Sequence, residues 1–157
     1  MSDCGLRLAD CGLPIRANGF TKAECPEQHM NSIELEKRTK TFALNIIRMT
    51  EGLPQGRAAD VRARQLIRSA TSVAANYRSA CRARSQADFI SKMGIVEEEA
   101  DESGLWIELI REAGLRFPDD LDELWEEADI LTAIAVKSIR TARHNLRNPQ
   151  SATRNPQ

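Results

Sequence analysis

Aromatic side chains are scarce in this sequence: two tryptophans, one tyrosine and four phenylalanines make up 4% of 157 residues. A surface that stacks successive unpaired bases therefore has little support. Long apolar runs are also missing. The longest nearly apolar stretch, Ile130 to Val136, is interrupted by Thr132 and falls far short of the about 20 residues a bilayer span requires. Residues 1 to 10 include Asp3, Arg7 and Asp10 and lack the continuous apolar segment of a secretory signal, so cytoplasmic residence is the expectation. Cysteine is sparse, with residues 4, 11, 25 and 81 and no Cys-x-x-Cys pair, which argues against a disulfide framework or a compact zinc knuckle. Finally, neither sign of charge dominates. The 23 acids and 22 bases leave a formal charge of -1, which excludes a uniformly basic, nucleic-acid-coating surface.

What is present is the composition of one folded domain: 41% hydrophobic and 29% charged residues, with mean hydropathy -0.44. Residues 1–29 hold three glycines, two prolines and three of the cysteines and show no sustained period, so they read as a flexible extension. Residues 148–157 are rich in Pro, Asn and Gln and read as a fraying tail. Between them, residues 30–147 keep a helical period. Leu35, Thr39, Phe42, Ile46 and Met49 predict a helix over about 32–50. Gly52 to Gly56 then breaks the pattern, and Ala59, Ala63, Leu66, Ala70, Val73, Tyr77 and Ala80 predict a second helix over about 59–81. Ser85 with Asp88 is placed to cap a third helix running to about 113, ended by Gly114. Phe117-Pro118 stops and restarts the chain, and a fourth helix follows over about 119–146. Short connections make neighbours antiparallel, so the expected fold is all-α, an up-down-up-down four-helix bundle. Ile47, Ile90, Trp106, Leu109, Trp125, Ile134 and Ile139 widen the apolar faces, serving either the core or self-association.

Near-neutrality overall conceals strong segregation. From Arg57 to Lys92 there are eight bases against two acids; from Glu97 to Asp129 there are fourteen acids against two bases. Arg57, Arg64 and Arg78 are separated by multiples of seven, as are Arg68 and Arg82, and Arg84 follows closely. This recurrence places arginines on nearby surfaces of the second helix and its flanks. Their planar donors suit phosphates or carboxylates, so two readings stay open: pairing with the acidic faces of helices three and four, within one subunit or across subunits, or binding of nucleic acid or an acidic protein. Glu98 and Glu102 lie one turn apart, as do Glu123 and Glu127, but no Glu-x-x-His accompanies them. Salt-bridged or solvated acids are the better reading than a metal site. No phosphate-binding glycine loop, nucleophile elbow or zinc-protease motif occurs, and Cys81 has no histidine near it in sequence. The expectation is a noncatalytic protein with no cofactor.

Taken together, Leu66-Ile-Arg-Ser-Ala-Thr-Ser-Val-Ala-Ala-Asn76, the following Arg84-Ser85 and Phe89, and Ile95-Val-Glu-Glu-Glu-Ala-Asp-Glu102 resemble one family. It is the four-helix-bundle proteins encoded by intervening sequences in bacterial 23S ribosomal RNA genes, and the likeness extends over about 31–146. The resemblance implies homo-oligomers, commonly pentameric rings. The similar accessory proteins of diversity-generating retroelements imply binding to nucleic acid and a reverse transcriptase through Arg64, Arg68, Arg78, Arg82 and Arg84. Residues 77–80 depart from the family, reading Tyr-Arg-Ser-Ala where many members have Ile-Ala-Glu-Gly. Asn76, Glu98, Glu102, Trp106 and Trp125 are the candidates for structure or assembly. The resulting expectation is a self-assembling binding or scaffold protein, with a nucleic-acid-associated accessory as the alternative.

Overall fold

Asn31 starts the first helix through a reciprocal cap. Its side chain accepts from the Glu34 amide at 2.9 Å, and the Glu34 carboxylate accepts from the Asn31 amide at 2.9 Å. Two orphan donors are thereby satisfied at once. The helix, α1, spans Ser32–Glu51 and is followed by α2 at Arg57–Ala80, α3 at Gln86–Glu112 and α4 at Asp119–Arg147. These come from a computed structural model that describes residues 31–115 and 119–147. The expected tails at 1–29 and 148–157 and the Phe117-Pro118 stop lie outside the described residues. Among the described residues there is no strand, and no helix is long and apolar enough to cross a membrane.

Each further boundary has a local cause. Gly52 and Gly56 bracket the α1–α2 turn, and α2 begins at Arg57, two residues earlier than the apolar period indicated, because Ala58 and Ala59 extend it without strain. Ser85 caps α3 by accepting from the Asp88 amide at 3.1 Å, while the Asp88 carboxylate accepts from the Arg84 amide at 3.0 Å, one residue beyond the usual box. Gly114 ends α3 with φ at 64°. The Gly114 amide donates to the Arg111 carbonyl and the Leu115 amide to the Ile110 carbonyl, closing a Schellman motif that favours glycine at the left-handed position.

The apolar stripes meet in one core. Phe42 and Ile46 of α1, Leu66 and Val73 of α2, Met93, Ile107 and Ile110 of α3, and Leu121 and Leu131 of α4 are all at most 2% exposed. Burying each such side chain is worth roughly 1.5–3 kcal/mol. α3 packs broadly on both α2 and α4, α1 leans mainly on α2, and α1 meets α4 least. The pairs α1/α3 and α2/α4 are diagonal, with no Cα atoms within 8 Å of each other. The bidentate Arg38–Glu127 pair, both bonds at 2.7 Å, ties the sparse α1–α4 seam beside Phe42 and Leu124. The chain is thus an up-down-up-down bundle.

Gly94 inside α3 and Gly114 just past its C-terminal end differ in what an added side chain would cost. A methyl group at Gly94 would meet nothing within 4 Å, so Gly94→Ala should stabilise the bundle by about 0.5–1 kcal/mol by removing backbone freedom from the unfolded chain. Gly114→Ala should destabilise by a similar or larger amount, because φ there is positive. Urea melts of the two variants are expected to shift in opposite directions; a shared direction would refute this account of the α3 backbone.

Candidate functional site

Small residues bring α2 and α3 close together. Ala70 and Ala100 are fully buried, and between them Ser103 donates to Ser69 across the interface at 2.9 Å, with the Glu99 carbonyl also in reach at 2.8 Å. Ser69 in turn donates to the Leu66 carbonyl at 3.2 Å, so two hydroxyls are buried without being left unpaired. This approach sets Arg68 beside the acidic block of α3. Its guanidinium donates to both carboxylate oxygens of Glu102 at 2.7 and 2.9 Å and lies 3.8 Å from Glu99. Glu102 also accepts from the indole nitrogen of Trp106 at 2.9 Å, which fixes the ring along the α2–α3 seam. The Trp106 hydrogen bond, then that of Arg68 and the charge of Arg68, hold the Glu102 carboxyl below the usual glutamate range against the opposing effect of burial. Glu99 Oε2 is buried with no hydrogen-bond partner among the described residues.

The other arginines have different surroundings. Arg78 pairs with Glu36 of α1 at 3.3 Å, not with α3. Arg57, Arg64, Arg82 and Arg84 are exposed and form no ion pair with a described carboxylate. Arg82 donates instead to the Arg78 carbonyl at 3.3 Å. Within one chain the carboxylates that pair with α2 come from α3 and α1, and α4, at the diagonal corner, supplies none among the described residues. The arginine stripe is neutralised in its middle and left open near both ends.

Asn76 turns back on its own helix, donating to the Ser72 carbonyl at 2.9 Å and lying 3.0 Å from the Ser72 hydroxyl. Among the described residues it makes no hydrogen bond across a helix interface. Trp125 of α4 donates to Glu108 of α3 at 2.8 Å, and Glu98 is exposed with no ion pair among the described residues. Glu127 is occupied by Arg38. No group of three or more His, Cys, Asp or Glu side chains that could hold a metal ion occurs among the described residues.

The exposed apolar residues differ from those the sequence indicated. Ile47, Ile90, Trp106, Leu109, Trp125 and Ile134 are half-buried and Ile139 is buried. Val61 at 53%, Leu105 at 50% and Ile130 at 40% are exposed in their place, together with Ile33, Leu44, Ile95 and Leu146. Val61 and Ala58 of α2 join Trp106 and Leu109 of α3 in an open groove of about 470 Å³, edged by Arg57 and Arg62. Arg62 donates to the Ala58 carbonyl at 3.1 Å. The sequence signal for this groove was an apolar Val61 between polar neighbours, one turn from Arg57.

Glu102 makes the α2–α3 site sensitive to acid. Its carboxyl holds its charge more strongly in the folded than in the unfolded chain, so its contribution is present above the unfolded glutamate pKa of about 4.3. That contribution disappears as pH falls through the lowered folded value. Glu102→Gln should lower stability at pH 7 by about 1 kcal/mol, a figure discounted for solvent screening. The gap from the parent chain should be full near neutral pH and narrow as pH falls below about 4.3 in denaturant melts; a gap independent of pH would show that the carboxylate charge contributes nothing.

No curated protein matches the chain. A crystal structure from Bacteroides thetaiotaomicron, of a protein with unknown function from the S23 ribosomal protein family, is similar to it. The two share 28% identity and a TM-score of 0.63, over 67% of this chain and 97% of the other. The family model for the 23S rRNA-intervening sequence protein matches residues 31–137, which take in α1, α2, α3 and most of α4. The chain belongs to the 23S rRNA-intervening sequence protein family.

Proposed function

We propose that this protein is a noncatalytic, cytoplasmic assembly module that associates with copies of itself and presents its arginines on the assembled surface. One observation carries this reading: the contiguous apolar groove of Ala58, Val61, Trp106 and Leu109 remains open in the single chain. An apolar recess of that kind, edged by charge, is what protein interfaces cover. The pentameric ring implied by the family resemblance is the expected form. Native mass spectrometry and light scattering from about 1 to 100 μM should show one discrete oligomer; a monomer throughout that range would overturn the reading.

A second reading is favoured by the open arginines. Arg57 and Arg64 near one end of α2, and Arg82 and Arg84 near the other, have no ion-pairing carboxylate among the described residues. In this reading the protein is an accessory that binds RNA or DNA phosphates, with a partner such as a reverse transcriptase, as the likeness to retroelement accessory proteins suggests. Phosphate neutralisation releases counterions, so affinity should fall steeply as salt rises from 50 to 200 mM. Arg64→Gln combined with Arg84→Gln should flatten that dependence, whereas Arg68→Gln should alter it little because Arg68 is held by Glu102. Absence of binding to unrelated RNA and DNA at 50 mM salt would remove this reading.

A further inference from the structure

We propose that the Trp106 groove of one copy receives the acidic, Ile130-bearing face of α4 from a second copy. This inference rests on the self-association reading and names the two surfaces that meet. The groove offers apolar walls from Val61, Trp106 and Leu109, with Arg57 and Arg62 at its edge. Neither arginine forms an ion pair with a described carboxylate. Its complement must therefore be an exposed aliphatic side chain flanked by free acids.

The first half of α4 carries that pattern. Glu123, Glu126 and Ile130 follow at intervals of three and four residues, which places them on one helical face. All three are exposed, and neither glutamate forms an ion pair among the described residues. Ile130 supplies the apolar knob, and the two carboxylates supply the charge that Arg57 and Arg62 lack. Opposite potentials across such a contact select the register as well as the partner.

The fold prevents a chain from satisfying itself. α2 and α4 occupy diagonal corners with no Cα atoms within 8 Å of each other, so the arginines of the groove and the α4 acids of one copy belong to two separate surfaces. The contact is consequently head-to-tail, and each added copy presents the same open groove until a ring closes. Both surfaces lie toward the end of the bundle that holds the α1–α2 and α3–α4 connections, since Val61 is in the first turns of α2 and Ile130 in the first half of α4. Copies can therefore meet side by side without sliding a full bundle length past one another.

A head-to-tail contact has a distinctive test. Val61→Asp spoils the groove and Ile130→Asp spoils the knob, each at a position already 40% or more exposed, so thermal melts should show both variants folded. Each variant alone should be monomeric, with self-association weakened about 100-fold or more. Mixed in equal amounts, they should form a 1:1 heterodimer that grows no further, because one intact groove meets one intact knob. A monomeric parent chain would overturn self-association and this interface together. A parent that assembles while either variant still assembles, or while the mixture yields no heterodimer, would overturn the interface alone. A labelled single-stranded RNA 20-mer should bind both variants equally; loss of binding with Val61→Asp only would assign the groove to nucleic acid and overturn the proposal.

Discussion

The close approach of α2 to α3 decides what the surface of this protein offers. Alanine at 70 and 100 and serine at 69 and 103 allow the helices near enough for a hydroxyl-to-hydroxyl contact of 2.9 Å. At that separation Arg68 reaches Glu102 with bonds of 2.7 and 2.9 Å, and Glu102 reaches Trp106. Larger side chains at 69 or 103 would spread the seam and release the arginine, the carboxylate and the indole together. Packing inside the bundle thus sets charge outside it. The result is an α2 whose basic stripe is consumed at its centre and available near its ends.

A different logic holds α1. It leans on α2 through Arg78–Glu36 and on α4 through the bidentate Arg38–Glu127 pair, but its apolar contact with α4 is the thinnest in the bundle. An exposed ion pair such as Arg78–Glu36 contributes little, whereas two parallel bonds between half-buried partners fix orientation as well as distance. The α1–α4 seam therefore depends on geometry supplied by one pair, while the α2–α3 and α3–α4 seams depend on continuous apolar packing. Loosening of the bundle should begin where apolar burial is least.

Much of the architecture was legible because burial imposes a period. Leu35 to Met49, Leu66 to Ala80 and Phe89 to Ile110 recur every three or four residues, and Ser85 and Gly114 punctuate them by hydrogen-bonding and backbone rules that act locally. The site was legible only in composition. Fourteen acids from Glu97 to Asp129 announced that some arginines would be paired, but not that Arg68 would find α3 while Arg78 found α1. Those choices depend on helix rotation and on which helices stand diagonally, and neither is encoded in a single helix's spacing. For the same reason Trp106 and Ile134, which looked surplus to a minimal stripe, became half-buried, while Val61, Leu105 and Ile130 stayed out. The width of a buried face is settled by its neighbours.

Charge segregation along the chain acquires a physical meaning once the diagonal is recognised. Had the basic and acidic segments fallen on helices that all touch, internal pairing would have neutralised both and left no directional field. Here the basic helix touches α1 and α3, and the acidic first half of α4 faces away from it. Among the described residues, Arg57 and Arg62 at the start of α2 and Glu123 and Glu126 in the first half of α4 therefore form no ion pair and stand on diagonal helices. Two such copies attract most strongly when unlike corners face, and that orientation leaves one corner of each kind still exposed. In the proposed self-association, this arrangement would favour side-by-side, directional contact over the two-fold pairing that a single self-complementary patch would produce.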